Sequence, residues 1–444
     1  MKRLLSYLFV LLLLFLSPFV HAAGVVSVGT GAANSVGDIN VSAAPYSGNA
    51  SAAISAALAQ CQHIVILPGK YVCPSPILVV PDNVCVDARG AVFVPTSNTT
   101  AQGQLFHVTG DRFHLDGGEV ELQTFTDGQY VIYLAASHYS VIEGTAFTAK
   151  YTPTSYVQPM TAIRGAGSTN LRIKYPFLLP GRGLTMVAAR TCANIVIDEA
   201  QVGNSWSAAG MGVHQLYDFN DCTHATINGG AFYGLGDGSN KLAFILRAYA
   251  TSNGDHHVNV NGGYYESIAV DRAFQVEGGR HATFSNVQVA SFTDTATGIF
   301  CAVGSTGDTT GTAMNEFEVL NCISHDNCKN GASPSSAPLV YVRKAAGVTI
   351  RGNVHKVAYS PLLSIDTAVA TNVLVESNLA KSAQPAVQFA GGVQAVVNVI
   401  GTTPVTRWVF RDNTVYGQGL NGFQTFWSPA APTGVVERGT IVLQ

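Results

Sequence analysis

Between Trp206 and His281 the sequence gathers side chains that move protons and hold charge, in a chain of which only 11% is Asp, Glu, Lys or Arg. Asp218, Asp271 and Glu277 are the candidate acids and bases. His214, Tyr217, Arg247, Tyr249, Tyr265 and Arg280 are candidates to grip and orient a ligand. Setting the short apolar runs side by side, so that Leu216, Leu246 and Val276 coincide, puts Tyr217, Arg247 and Glu277 in one column. Asp218 then adjoins Tyr217, and Asp271 precedes the third run. If each run is a strand stacked on the next, carboxylates one or two layers apart lie roughly 5–10 Å from each other. At such a separation one carboxyl can give a proton while the other takes one or attacks. The plainer reading of the column is an Arg247–Glu277 surface ion pair of little consequence.

Other titratable groups in the stretch carry less. Asp221, Asp237 and Asp255 follow Asn or Gly and suit turns. His256 and His257 are neighbours, and neighbours on a strand point to opposite faces, so no metal site and no cofactor is assigned. Gly234-Leu235-Gly236-Asp237-Gly238 lacks the strand-to-helix setting of a nucleotide loop.

These residues need a scaffold, and the scaffold repeats. Ile227-Asn228-Gly229-Gly230-Ala231-Phe232-Tyr233 is echoed by Val260-Asn261-Gly262-Gly263-Tyr264-Tyr265. Weaker copies run from Leu115-Asp116-Gly117-Gly118 to Phe410-Arg411-Asp412-Asn413, in steps of about 24 to 35 residues. Short strands at this period suggest a solenoid, in which stacked neighbours bury what no single repeat can. A second strand signal precedes most copies, as at Phe106–Val108, Ile132–Leu134, Met186–Ala188, Phe244–Leu246 and Phe274–Val276. Asp116, Glu143, Lys174, Asp198, Asn228 and Asn261 each follow the template aliphatic and form a second polar column, read as a stacking ladder.

Residues 1–22 read as a secretory signal: Lys2 and Arg3, an apolar run from Leu4 to Leu16, then Val20-His21-Ala22 as a small-residue cleavage site. This implies a secreted or periplasmic protein with no membrane contact after cleavage. Residues 23–48 read as an extended lead-in. Asn49–Gln60 is the one convincing helix, a plug for the open end of the ladder. The template fades over 417–444, where Phe423, Phe426 and Trp427 suit a C-terminal cap. A net charge of −3 recommends neither nucleic acid nor an anionic membrane as partner.

Ile64-Val65-Ile66-Leu67-Pro68-Gly69-Lys70-Tyr71 and Val84-Cys85-Val86-Asp87-Ala88-Arg89-Gly90, after a small-residue helix, resemble the N-terminal turns of the pectate-lyase-like superfamily. The resemblance implies an all-β fold, a right-handed parallel β-helix solenoid over 49–416 of roughly ten to twelve coils, with a short N-terminal capping helix. It also implies a polysaccharide or oligosaccharide as partner, and a monomer or homotrimer. Members include glycoside hydrolases, polysaccharide lyases, epimerases and tailspike depolymerases. Hydrolysis by an acid pair drawn from Asp218, Asp271 and Glu277 is the first expectation. A lyase, or a non-catalytic glycan-binding or structural surface protein, is the alternative. Arg172-Ile173-Lys174 matches a short polygalacturonase signature, but the Asn-Thr-Asp, Asp-Asp and Gly-His-Gly motifs that should precede it are missing. The Trp-Ile-Asp-His run and calcium-binding aspartates of pectate lyases are missing too.

The chain has eight cysteines. Cys192 and Cys222 each lie five residues before their template aliphatic, so they should stack on adjacent coils, either as a disulfide or as buried thiols. Cys322 and Cys328 bracket a short loop and form a second candidate disulfide. No CxxC spacing occurs, which argues against a zinc site.

Overall fold

The structure is a computed structural model. It describes residues 25–443 apart from connections, the longest of which span 30–38, 150–159, 203–214, 304–313, 326–337 and 382–393. The signal segment, His214 and Cys328 therefore lie outside the described residues.

The chain is a parallel β-helix with three strands per coil. The first and second strands of every coil join one 27-stranded sheet that bends at the corner between them, and the third strands form a 14-stranded sheet. The sequence signals two strands per coil. The third, such as Glu119–Leu122 or Gln201–Val202, is too short to declare a period of its own. Fourteen third strands make the stack somewhat taller than the ten to twelve coils expected. Every interstrand register is parallel, so residue pairs such as Leu115↔Ile142, Ile142↔Ile173, Ile173↔Ile197 and Ile197↔Ile227 stack coil upon coil.

The second strand is held in phase by the turn that follows it. The residue ending each copy has a left-handed backbone: Gly117, Gly144, Tyr175, Glu199, Gly229, Gly262, Asn286, Asn321, Gly352, Ser377 and Asp412 all have φ between 50° and 76°. At Gly230 φ is +100°, and a Cβ would sit 2.7 Å from the Ala200 carbonyl oxygen, so glycine is required there. Fixing this corner fixes which side chains enter the interior. The expected second polar column is observed in register, from Asp116 through Glu143, Lys174, Asp198 and Asn228 to Asn261. It is a ladder of mutual bonds: Lys174 Nζ donates to Glu143 Oε2 at 3.1 Å and Asn228 Nδ2 to Asp198 Oδ1 at 2.9 Å.

The interior is apolar and aromatic. Phe274 stacks on Phe300 at 5.2 Å and meets Tyr265 edge-on at 5.0 Å, while Phe232 stacks on Tyr265 at 4.7 Å. Further along, buried asparagines replace it at the corner. Asn353 Nδ2 donates to Asn378 Oδ1 (3.0 Å) and Asn378 Nδ2 to Asn413 Oδ1 (2.9 Å), and each also caps a backbone carbonyl.

At the N-terminal end the helix stands where the sequence places it, and strands pair at both ends of the chain. The helix is Ala50–Gln60, with Asn49 Oδ1 accepting from the Ala52 amide at 3.0 Å, and it buries Ala53, Ile54, Ala57 and Leu58 over the first coils. The lead-in, however, already contributes to the sheet: Val25–Gly29 pairs with His63–Ile66. The tail also continues it, with Phe423–Trp427, Val435–Arg438 and Ile441–Leu443 each paired to the coil before.

No disulfide is present among the described residues, which corrects the Cys192–Cys222 expectation. The two residues do stack on adjacent coils, but as buried thiols hydrogen-bonded to each other. Cys222 Sγ also lies 3.5 Å from the Ala189 carbonyl oxygen and 3.4 Å from that of Asn220. The thiol–thiol bond pulls Cys192 down and pushes Cys222 up. Cys322 is a buried thiol as well, and its proposed partner Cys328 is not described.

Candidate functional site

The first strands carry the candidate chemistry, and their register differs from expectation by one residue at the first pairing and by two at the second. Gln215–Asn220 pairs with Leu242–Tyr249 as Tyr217↔Leu246 and Asp218↔Arg247. Leu242–Tyr249 then pairs with Val270–Glu277 as Leu246↔Phe274, Arg247↔Gln275 and Tyr249↔Glu277. The outward row is therefore Asp218–Arg247–Gln275, with Asn220–Tyr249–Glu277 beside it. Because side chains alternate, a slip of one residue exchanges the faces. Tyr217 consequently points inward, is fully buried, and packs edge-on against Phe232 at 6.0 Å. Tyr265 is buried in the same aromatic stack. Neither can contact a ligand on the outer face, which corrects their assignment as binding residues. Both hydroxyls are buried without a hydrogen-bond partner. Burial raises both phenols above their ordinary range.

Glu277 and Arg247 do come together, across adjacent coils. Arg247 Nε donates to Glu277 Oε1 at 2.8 Å and Nη2 to Oε2 at 3.4 Å, and the Gln275 amide donates to Oε1 as well. The Glu277 side chain is 1% exposed and that of Arg247 24%. Burial works against the Arg247 charge, but the bonds and charge of Glu277 outweigh it and hold the guanidinium above its ordinary range. The guanidinium lies over the Tyr249 ring, 4.3 Å from its centre. Tyr249 Oη accepts from Asn220 Nδ2 at 3.1 Å. Burial, and after it the Asp218 carboxylate, push the Tyr249 phenol up. Asp218 itself is 7% exposed and acts electrostatically on Arg164, Arg247 and Tyr249. Asp271 lies on the strand Val270–Glu277 ahead of these residues, with its side chain outside the described set. Arg280 is exposed in the turn after the strand.

The same row extends further than the sequence suggested. Its members run His107↔Tyr133↔Arg164↔Ala188↔Asp218. Tyr133 lies 5.2 Å from the His107 ring and 5.4 Å from Tyr130, and Arg164 sits over the Tyr130 ring at 5.2 Å. Arg164 is a nearly buried guanidinium (6% exposed), and burial lowers it. Ala188, between Arg164 and Asp218, contributes only a methyl group and is buried. Tyr133 was within reach of the sequence reading, since Ile132 and Leu134 are inward members of one strand. Arg164 was not, because Met160–Ala166 contains Gly, Ala and Thr and reads as no strand.

The fold defines the class: a parallel β-helix. No protein-family model and no curated protein matches the sequence. Among solved structures the chain is similar to PfbA, a surface adhesin of Streptococcus pneumoniae, with TM-score 0.50 and 10% identity over 89% of this chain and 86% of that one. It also aligns with the A-module of the Azotobacter vinelandii mannuronan C-5 epimerase AlgE6 (TM-score 0.46, 12% identity, 88% and 95% covered). A third match is the catalytic unit of the GH87 α-1,3-glucanase of Streptomyces thermodiastaticus (TM-score 0.42, 14% identity, 89% and 66% covered). At these identities the likeness is one of fold.

Proposed function

We propose that this is an exported carbohydrate-active protein that takes a polysaccharide along the outer face of its first strands and acts on it with Asp218. The observation that carries this is the row Tyr133–Arg164–Ala188–Asp218–Arg247. Its four coil steps span about 19 Å along the helix axis, room for several sugar units. Tyr133 and Tyr130 offer ring faces for stacking, and Arg164 and Arg247 offer hydrogen-bond donors. Asp218, next to Ala188 in the row, supplies a carboxylate. Glu277 moves from the expected acid pair to a positioning role, since Arg247 and Gln275 already engage it. Proton transfer by Asp218 is the chemistry this row supports, with Arg247 and Tyr249 setting the electrostatics around it.

The test is a panel of neutral, uronate-containing and sulfated polysaccharides, scored for new reducing ends and for the ultraviolet absorbance of unsaturated products. Asp218→Asn should lower turnover by about 10²–10⁴-fold while leaving retention on the polysaccharide intact. New reducing ends without absorbance mean hydrolysis; absorbance means elimination. Full activity in Asp218→Asn would overturn the assignment. Binding without product, in the folded wild-type chain, would favour the adhesin-like reading, for which PfbA is the solved neighbour.

A further inference from the structure

On the second strands, away from the row above, three histidines stack on consecutive coils. The register aligns His224↔His257 and His257↔His281. Ring centres are 4.8 Å apart for the first pair, which is near parallel at 9°, and 6.2 Å apart for the second. Two residues along, Thr226↔Asn259↔Thr283 form a neutral row beside them. The rows line a surface cleft of about 280 Å³, floored by Ala225 and Val258. His224 and Asn259 are exposed, and His257, His281, Thr226 and Thr283 half-buried. By sequence only His256 and His257 are neighbours, and alternation forbids them a shared site. The partners of His257 come from other coils.

We propose that this cleft is a second binding site, for an anionic glycan, and that it engages its ligand as the medium turns acidic. Stacked, parallel rings present their edges side by side rather than converging their nitrogens, and no group of three metal-ligating side chains suited to an ion occurs among the described residues. A row of imidazoles repeating at the coil spacing instead matches a linear polymer with repeating negative groups. Each imidazole adds a positive charge when protonated. The adjoining hydroxyl and amide row suits sugar hydroxyls, which a purely electrostatic site would not need.

The surrounding charges set the direction. At one end His281 faces two carboxylates, with Nδ1 3.5 Å from Glu316 Oε2 and Nε2 3.3 Å from Glu318 Oε2. Thr283 also donates to Glu318 at 3.1 Å, and Arg280 precedes His281 in the chain. At the other end the strand Ala193–Asp198 presents Asn194 and Val196 in the same two rows, both neutral. Its Asp198 is engaged by Arg172 at 2.8 Å and by Asn228 at 2.9 Å. The carboxylates thus gather at the His281 end of the row.

The experiment measures binding of the full chain to dextran sulfate, polygalacturonate and neutral dextran at about pH 5.5 and about pH 7.5, on either side of the ordinary histidine range. Binding to one or both polyanions should be at least tenfold tighter at the lower pH, with dextran not retained. The two polyanions distinguish sulfate from carboxylate as the recognised group. His257→Gln and His224→Gln, both surface changes, should each remove most of the pH dependence, with circular dichroism confirming the fold. Equal affinity at the two pH values, equal retention of dextran, or wild-type binding in both variants would each overturn the proposal. No catalysis is read in this assay, so its failure is separate from failure of the Asp218 reading.

Discussion

Removing the Glu277 carboxylate tests whether it holds Arg247 in place or serves as an acid. The buried carboxylate accepts two bonds from Arg247, at 2.8 and 3.4 Å, and a third from Gln275. Hydrogen bonds to charged groups contribute about 1.5–3 kcal/mol each, and breaking a fully buried pair costs about 3–5 kcal/mol. Arg247 keeps 24% of its side-chain surface, so water recovers part of that loss. Glu277→Ala should therefore destabilise its coil by about 3 kcal/mol. A solenoid need not unfold as one unit, so the local measurement is hydrogen exchange by mass spectrometry over Leu242–Tyr249 and Val270–Glu277. A loss of about 3 kcal/mol appears as roughly a hundredfold faster exchange. Arg247→Ala should cost a similar amount, and the double variant should fall short of the sum by at least about 1.5 kcal/mol. Coupling below about 0.5 kcal/mol would refute the positioning role and return Glu277 to the acid pair.

Three further outcomes are expected. Tyr217→Phe removes a buried hydroxyl that has no partner, so stability should hold or rise by up to about 1 kcal/mol and glycan binding should not change; lost binding would show that the outward register is wrong. Asn378→Leu strips partners from Asn353, the Ile350 carbonyl and Asn413, and should cost on the order of 3–5 kcal/mol, visible as a lower thermal midpoint; an unchanged midpoint would deny the buried ladder its stabilising role. Burial pushes the Cys73 and Cys322 thiols up to about 12. A group that holds its proton more tightly when folded contributes fully below its unfolded value, near 9, and loses that contribution as pH climbs toward 12. The urea midpoint should thus fall over that interval, and less steeply in Cys73→Ala; an identical slope in the variant would remove the thiol as a cause.

The sequence by itself determined the second strand of each coil. Its aliphatic residue, the polar residue after it and the left-handed turn that follows come in fixed order, so Asp116, Glu143, Lys174, Asp198, Asn228 and Asn261 could be aligned without coordinates, and the structure keeps them in register. The capping helix was equally legible, because Asn49 and the apolar positions of a single helix are local features. The first strands were not. Phe244-Ile245-Leu246 is an unbroken apolar run, and Leu216 and Tyr217 are both apolar enough for the interior, so alternation does not say which of each pair enters. No glycine corner stands next to them to set the phase. Only the pairing of whole coils decided it, by filling the interior with Tyr217, Phe274 and Phe300 and turning Asp218 outward onto Arg247. The histidine row was decided the same way. Its members are 33 and 24 residues apart in the chain, at positions 224, 257 and 281, and become neighbours only because connections of unequal length return each strand to the same place on the stack.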